Sequence, residues 1–219
     1  GPVFDSNTYF FDRCQRWSGL CIDANANYAP HHLTARSSRF AHTCVSPTDE
    51  EVLFDATNVG QLGHVVTGPQ PPRAATNESS RGHDRFVRMR CQTLSRLLAE
   101  ASLARHIDFA SMDVEGAELG ALASVDWRTT TFGVLMVEHA SRALTELLAA
   151  KGMEPVFCIL VDTIFVRRGD LPAALTWLGT RGAGLRMREV PMPLLSNRTA
   201  DCRDDRSERY ERERAMLRM

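Results

Sequence analysis

Hydrophobic and polar positions follow two periodicities along most of the chain. Short apolar runs that end in a polar residue predict buried strands, and apolar positions at i, i+3, i+4 and i+7 predict helices. The predicted strands are Leu20–Ile22, Phe40–Val45, Val52–Phe54, Phe86–Met89, Ile107–Met112, Phe132–Val137, Val156–Leu160 and Thr163–Val166. The predicted helices cover residues 6–17, 28–36, 94–101, 115–123, 141–151 and 170–178. Helices that alternate with strands are typical of an α/β protein with a mostly parallel sheet.

The order of these elements also predicts how the chain is organised. The last two predicted strands are almost adjacent in sequence, so they must pair antiparallel, because a parallel crossover needs about a dozen residues. Residues 60–85 are rich in Gly and Pro and predict a mobile excursion. We therefore expect one domain over residues 1–182 and a C-terminal extension over residues 183–219. In that extension, acid–arginine pairs at i,i+4 predict a charged, exposed helix.

Charge and hydropathy exclude two classes of protein. The chain has 26 Lys and Arg against 27 Asp and Glu, a net charge of −1. Such a balance excludes a polybasic protein, and we expect no nucleic-acid partner. The longest apolar run, Val156–Val161, is far shorter than the roughly 20 residues that a membrane-spanning helix needs. We therefore expect no membrane segment in this sequence.

The six cysteines are scattered, without a CxxC pair or the spacing of a zinc site. Cys21 and Cys158 lie within apolar runs, where a reduced cysteine packs as a small hydrophobic residue. This pattern predicts no disulfide framework and no metal site, and it favours a reducing compartment such as the cytoplasm. His31 and His32 lie in a predicted helix without partners, and we expect both at the surface.

Polar residues that follow the predicted strands are the candidates for chemistry, because ligands of doubly wound sheets bind beyond the carboxyl ends of the strands. These candidates are Asp23, Ser46, Asp113 with Glu115, and Glu138 with His139. A helix N-terminus accounts for Glu115 and Glu118 through its dipole. It does not account for Asp113, which follows a buried strand. His139 beside a carboxylate is a candidate base, although a structural role is equally compatible with the pattern.

Asp23 has a spacing of its own. Nucleotide-binding sites of this class have a glycine-rich turn after the first strand, and about 20 residues later an acid that binds the ribose hydroxyls. Asp23 ends a predicted strand and lies 22 residues after Gly1. We therefore expect that Gly1 is the last glycine of such a turn and that the first strand of the sheet is missing from this chain.

Two stretches carry a resemblance to a known family. The segment SNTYFFDRCQRWSGLCIDANANY resembles the early part of the FkbM-type S-adenosylmethionine-dependent methyltransferases. The segment TLSRLLAEASLARHIDFASMDVEGAELGAL resembles their second hallmark, and VLMVEH and DTIFVRR also fit. The resemblance extends from Gly1 to about Arg168. It implies a Rossmann-like, doubly wound methyltransferase sheet that is mostly parallel with an antiparallel C-terminal hairpin.

The resemblance also implies roles for individual residues. It implies S-adenosylmethionine as the cofactor, with Asp23 on the ribose. The residues expected near the cofactor are Gly1, Ser6, Asn7, Asp23, Ser46 and Asp113. The residues expected near the acceptor are Glu115 and Glu118, and the candidates for catalysis are Asp113, Glu138 and His139. The sequence does not choose between His139 and Asp113 as the base.

The implied reaction is methyl transfer to an oxygen nucleophile, with a hydroxyl of a sugar or small molecule as the acceptor. The protein would align the attacking oxygen and remove its proton. One alternative is a non-catalytic trafficking or signalling module of the early secretory pathway, since relatives of that kind resemble this sequence too. A nicotinamide-dependent oxidoreductase fits Asp23 equally well, but it does not explain the DVEGAE stretch or the terminal hairpin.

Overall fold

The structure is a computed structural model that describes residues 6–55, 64–65, 86–103, 105–174 and 188–189. The strands are β1 (Leu20–Asp23), β2 (Arg39–His42), β3 (Glu50–Asp55), β4 (His64–Val65), β5 (Phe86–Cys91), β6 (His106–Met112), β7 (Thr131–Glu138), β8 (Met153–Ile159), β9 (Asp162–Arg167) and β10 (Arg188–Glu189). The α-helices are α1 (Tyr9–Arg13), α2 (Ala29–Ala35), α3 (Leu94–Glu100), α4 (Glu118–Ala123) and α5 (Arg142–Ala150). Gly1, most of the excursion at 60–85 and the charged helix of the extension lie outside the described residues.

The fold is mixed α/β, with parallel and antiparallel strand pairs. The chain divides into two compact units. The N-terminal unit comprises Gly1–Arg105 and Val114–Thr130, and the C-terminal unit comprises His106–Asp113 and Thr131–Met219. No helix among the described residues has the length and apolar character needed to cross a membrane.

The N-terminal unit contains two small sheets. Strands β1 and β2 pair in parallel, with Asp23 opposite His42 at their carboxyl ends. Strand β3 lies between β4 and β5 and is antiparallel to both. Its pairing with β5 extends from Glu50 opposite Cys91 to Asp55 opposite Phe86. A parallel bridge between Val45 and Gln92 follows β2 and β5.

Helix α3 forms where the leucine spacing predicts it. The hydroxyl of Thr93 accepts a hydrogen bond from the backbone N–H of Arg96 and caps the helix. Its buried side chains are those of Leu94, Leu97 and Leu98. The N-terminus of α3 is also tied to the end of α4, because Leu94 N–H donates to Ser124 Oγ at 3.0 Å.

The C-terminal unit contains a five-stranded sheet in the order β10-β8-β9-β7-β6. Strands β6 and β7 are parallel, whereas β9 is antiparallel to both β7 and β8. The antiparallel hairpin predicted from the short connection is therefore confirmed. Its largest fully buried side chains include Phe132, Leu135 and Phe165 of the sheet and Leu144 and Leu148 of α5. Helix α5 is followed by Lys151 and by Gly152, whose φ of +79° is a left-handed conformation that favours glycine.

Two predicted helix starts are wrong. Helix α1 begins at Tyr9 after Thr8, and neither Ser6 nor Asn7 caps it. Helix α4 begins at Glu118 rather than at residue 115, because Glu115 and Gly116 adopt positive φ angles of 52° and 97°. Such left-handed residues form a turn and cannot belong to an α-helix.

The prediction of no disulfide framework is also wrong, although Cys21 is a free cysteine as predicted. Cys44 and Cys91 form a disulfide bond, and Cys158 is likewise disulfide-bonded. The physical reason is strand pairing, because the bridge between Val45 and Gln92 brings the Cα atoms of Cys44 and Cys91 to 4.5 Å. Disulfides persist in oxidising environments. The basis for expecting a reducing compartment is therefore lost.

Candidate functional site

Asp23 occupies the carboxyl end of β1, as predicted. The backbone N–H of Asn25 donates to Asp23 Oδ1 at 2.8 Å, and that of Asn27 donates to Asn25 Oδ1 at 3.0 Å. Side-chain acceptors of this kind turn the chain by replacing a backbone acceptor. The first of these turns holds the half-buried Asp23 carboxylate at the strand end.

The surroundings of Asp23 are polar. Burial and the nearby Asp23 carboxylate raise the pKa of Tyr28, so the phenol remains protonated and able to donate a hydrogen bond. His42, opposite Asp23 in the parallel pair, contacts the carbonyl oxygen of Ala24 through Nε2 at 3.1 Å. A carboxylate in this position can accept hydrogen bonds from a vicinal diol.

Ser6 belongs to a buried network around Asp12 and Arg36. The Arg36 guanidinium donates to Asp12 Oδ2 from Nε at 2.7 Å, and these two side chains are only 2% and 3% exposed. Arg36 also donates to Ser6 Oγ at 2.9 Å and to Thr8 Oγ1 at 2.7 Å. The Ser6 hydroxyl therefore helps to hold a buried cation, whereas Asn7 is exposed.

Asp12 is the centre of this network. Its carboxylate accepts hydrogen bonds from the backbone N–H groups and the hydroxyls of both Ser37 and Ser38. Burial alone would raise the pKa of Asp12, but the bonds from Ser37, Ser38 and Arg36 outweigh it and hold this pKa well below its usual range. Asp12 thereby joins α1 to the connection between α2 and β2.

His32 lies beside the Asp12–Arg36 network and corrects a prediction. It is only 5% exposed rather than at the surface, and its ring stacks on Phe40 with centroids 4.4 Å apart. Its Nδ1 atom has no hydrogen-bond partner within the part of the chain that the structure describes. Burial, and then the nearby Arg36 charge, lower the pKa of His32.

Two further predicted residues use their polar atoms within their own loops. Ser46 is buried, and its hydroxyl donates to the carbonyl oxygen of Thr48. Glu118 is also buried, and its Oε1 accepts hydrogen bonds from the N–H groups of Val114 and Gly116, each at 3.1 Å. Glu118 therefore closes the turn before α4, whereas Glu115 is exposed.

Asp113, Glu138 and His139 lie at one edge of the C-terminal sheet, together with Asp162. In the register, Met112 of β6 is opposite Val137 of β7, so Asp113 and Glu138 each come next at the strand ends. Glu138 is in turn opposite Asp162, the first residue of β9. Pairing of β6, β7 and β9 thus places three carboxylates at the same edge.

His139 is anchored at this edge by its backbone. Its N–H donates to the carbonyl oxygen of Val161 at 2.9 Å, and its Nε2 lies 4.0 Å from Glu138 Oε1. The imidazole itself is exposed, whereas the Glu138 side chain is mostly buried. This edge, which we call the carboxylate edge (Asp113, Glu138, His139 and Asp162), can bind hydroxyl groups and accept a proton.

Asp162 was not among the residues predicted from sequence. Burial raises its pKa, the Asp113 carboxylate raises it further, and His139 lowers it in part. The available signal was an acid at the tip of an antiparallel hairpin whose second strand, β9, pairs with β7. Asp12 could have been found from its position in the SNTYFFD stretch. No feature of the sequence pointed to Arg36.

No group of three or more His, Cys, Asp or Glu side chains within the described ranges is arranged to hold a metal ion.

Comparison with known proteins gives one finding. The family model described as "Methyltransferase FkbM domain" matches residues 2–155. This range includes Asp23 at the end of β1, Asp113 directly after β6, Glu138 at the end of β7 and His139 directly after it. No curated protein and no solved structure gives a significant match.

Proposed function

The chain belongs to the FkbM methyltransferase family, and on that premise we propose that it transfers a methyl group from S-adenosylmethionine to a hydroxyl of a sugar or another small molecule. The observation that carries this proposal is the family match over residues 2–155. The polar residues at the ends of β1, β6 and β7 supply side chains suited to such chemistry. No feature of the described residues favours the trafficking-module alternative.

The surroundings of Asp23 fit the nucleoside part of this cofactor. The ribose diol donates two hydrogen bonds, and a carboxylate at the end of a strand is their ordinary acceptor in such sheets. The hydrogen bond from Asn25 N–H to Asp23 Oδ1 orients the Asp23 carboxylate before any ligand binds. When bound, the cofactor supplies a methyl group on a positively charged sulfur that leaves as a neutral thioether.

The carboxylate edge supplies the groups for the acceptor. A sugar presents several hydroxyls, and Asp113, Glu138 and His139 offer acceptors at adjacent strand ends. Their task is to orient one hydroxyl and to accept its proton as the oxygen attacks. We assign this task to the edge as a group, with Asp113 and His139 as the exposed members.

Isothermal titration calorimetry with S-adenosylmethionine tests the assignment of Asp23. We expect Asp23→Ala to weaken binding about 10- to 150-fold, because losing a charge-assisted hydrogen bond costs about 1.5–3 kcal/mol. Glu51→Ala, which removes an exposed carboxylate from β3 of the same unit, is the matched control and should bind like wild type. Unchanged affinity in Asp23→Ala contradicts the assignment of Asp23 to the ribose. If wild type does not bind S-adenosylmethionine, the proposed cofactor is contradicted.

A further inference from the structure

Asp162 is the carboxylate of the edge that strand pairing fixes most firmly. It begins β9 and pairs with Glu138 of β7 on one side and with Ile159 of β8 on the other. Asp113 follows the last residue of an edge strand and is exposed, as is the His139 side chain. Asp162 is half-buried and has neighbouring strands on both sides. Its backbone is therefore paired on both sides, whereas Asp113 and His139 lie beyond the paired residues of β6 and β7.

We propose that Asp162 is the residue that accepts the proton of the acceptor hydroxyl, an inference that rests on the proposed methyltransferase function. The geometry supports it, because Asp162 lies at the same edge as the predicted candidates Asp113 and His139. No described residue donates a hydrogen bond to its carboxylate, so its oxygens are not committed elsewhere in that part of the chain. This distinguishes Asp162 from Asp12 and Glu118, whose carboxylates satisfy backbone N–H groups.

The backbone around Asp162 is held in an uncommon conformation. His139 and Leu160 have φ angles of +46° and +56°, which residues with side chains rarely adopt. The hydrogen bond from His139 N–H to Val161 O connects the end of β7 to the hairpin tip just before Asp162. Left-handed residues of this kind are retained where the surrounding structure fixes them, often at functional sites.

The charges that face Asp162 favour a proton acceptor. Three titratable groups lie around it: Asp113 directly after β6, Glu138 at the end of β7, and His139 directly after β7. On the other side, β8 contributes the apolar Ile159. Burial and the Asp113 carboxylate raise the pKa of Asp162, and His139 opposes this in part. A carboxylate with a raised pKa is a stronger base while it is still ionised near neutral pH.

The step balances without any further reactant. The acceptor oxygen forms its bond to the transferred methyl carbon as the bond from that carbon to sulfur breaks. The hydroxyl proton passes to the Asp162 carboxylate. The products are the methyl ether, the neutral thioether form of the cofactor and a protonated Asp162, which returns its proton to water.

The raised pKa of Asp162 also has a consequence for folding. A group whose folded-state pKa lies above its unfolded value contributes stability that is present at low pH and lost as pH rises through the folded pKa. An ionised Asp162 therefore destabilises the folded chain near neutral pH. Asp162→Asn should melt at the same or a higher temperature than wild type at pH 8, and this gain should diminish toward pH 4.

The experiment compares wild type, Asp162→Asn and Asp108→Asn. Asp108 lies on β6 of the same sheet with its side chain 73% exposed, so it is the matched control. Methyl transfer from tritiated S-adenosylmethionine is followed to a panel of methyl glycosides. We expect kcat of Asp162→Asn to fall about 100- to 10,000-fold. Its affinity for S-adenosylmethionine and its melting temperature should not fall, and Asp108→Asn should behave like wild type.

A second readout does not depend on the acceptor. In protein labelled with [γ-¹³C]aspartate, the Asp162 signal is the one that Asp162→Asn removes. It should titrate above the ordinary aspartate value of about 3.9, and Asp113→Asn should shift its titration to lower pH.

Three results overturn the inference: Asp162 titrating in the ordinary range, Asp162→Asn keeping more than a tenth of wild-type kcat, or Asp162→Asn melting at a lower temperature. A wild type that methylates no glycoside counts instead against the proposed function, and the titration then decides on Asp162 separately.

Discussion

Replacing Asp12 with Asn removes one charge from a buried ion pair while keeping the shape of the side chain. Arg36, Ser37 and Ser38 all donate hydrogen bonds to the Asp12 carboxylate, and both of its oxygens are used. An asparagine offers one oxygen and one NH₂ group. In either orientation of the amide, its NH₂ group faces N–H donors that the carboxylate oxygen had accepted, either that of Ser37 or those of Arg36 and Ser38. The variant thus leaves the Arg36 cation buried with its partner lost.

The size of the effect follows from the burial of the pair. Asp12 and Arg36 are 3% and 2% exposed, so solvent does little to screen them. Removing one partner of a buried ion pair costs about 3–5 kcal/mol. Since domains are stable by only about 5–15 kcal/mol, this loss is a large part of the total. With a urea m-value of about 2 kcal/mol/M, the unfolding midpoint should fall by about 1.5–2.5 M.

Urea denaturation followed by far-UV circular dichroism measures this loss at pH 7. The matched control is Glu146→Gln, which makes the same acid-to-amide change in the exposed pair of Glu146 with Arg142 on α5. That pair is solvated, so its variant should be indistinguishable from wild type.

The pH dependence has a definite sign. The folded pKa of Asp12 is lowered, so its contribution to stability is present above the unfolded value of 3.8 and is lost as pH falls below that value. The stability of wild type should therefore decline in acid, and that of Asp12→Asn should decline less. A loss of under about 1 kcal/mol in Asp12→Asn, or an equal loss in Glu146→Gln, would refute the reasoning.

Two further predictions concern the N-terminal unit. In a urea titration, joint replacement of Cys44 and Cys91 by Ser should lower the free energy of unfolding by about 4 kcal/mol, the chain-entropy value for a separation of 47 residues. The control Cys14→Ser, at an exposed free cysteine, should have no effect. Because the folded pKa of His32 is lowered, the stability of wild type should fall as pH drops below about 6.5. His32→Phe keeps the stacking on Phe40 and should flatten this dependence in melting curves recorded between pH 5 and 8. Equal slopes for the two proteins would show that His32 is not the titrating group.

Elements whose signals are local could be predicted from the sequence. Thr93 and Ser141 cap α3 and α5 through hydrogen bonds within one turn, and the leucine spacing of both helices requires only a neighbouring core. The β8–β9 hairpin followed from the shortness of its connection. The start of α4 could not be predicted, because Glu118 reaches back to the N–H groups of Val114 and Gly116 and ends the turn there.

Features that depend on distant partners could not be predicted. Cys44 pairs with Cys91 only because strands 47 residues apart in sequence come together. His32 is buried because Phe40 on the next strand covers it. For the candidate site, the rule of polar residues after strand ends selected Asp113 and His139, which lie at one edge of the C-terminal sheet. It missed Asp162, because β9 is antiparallel and brings the start of a strand to that edge.

The disulfide between Cys44 and Cys91 makes the 46 intervening positions part of a covalent ring, since the two cysteines are 47 residues apart. A protease that cuts once within this ring cannot release a fragment, because both new ends remain attached through the sulfur atoms. Cleavage there would appear on an electrophoresis gel only after reduction. In an oxidising medium, the chain can therefore be nicked between Cys44 and Cys91 without losing the connection between β1 and α3.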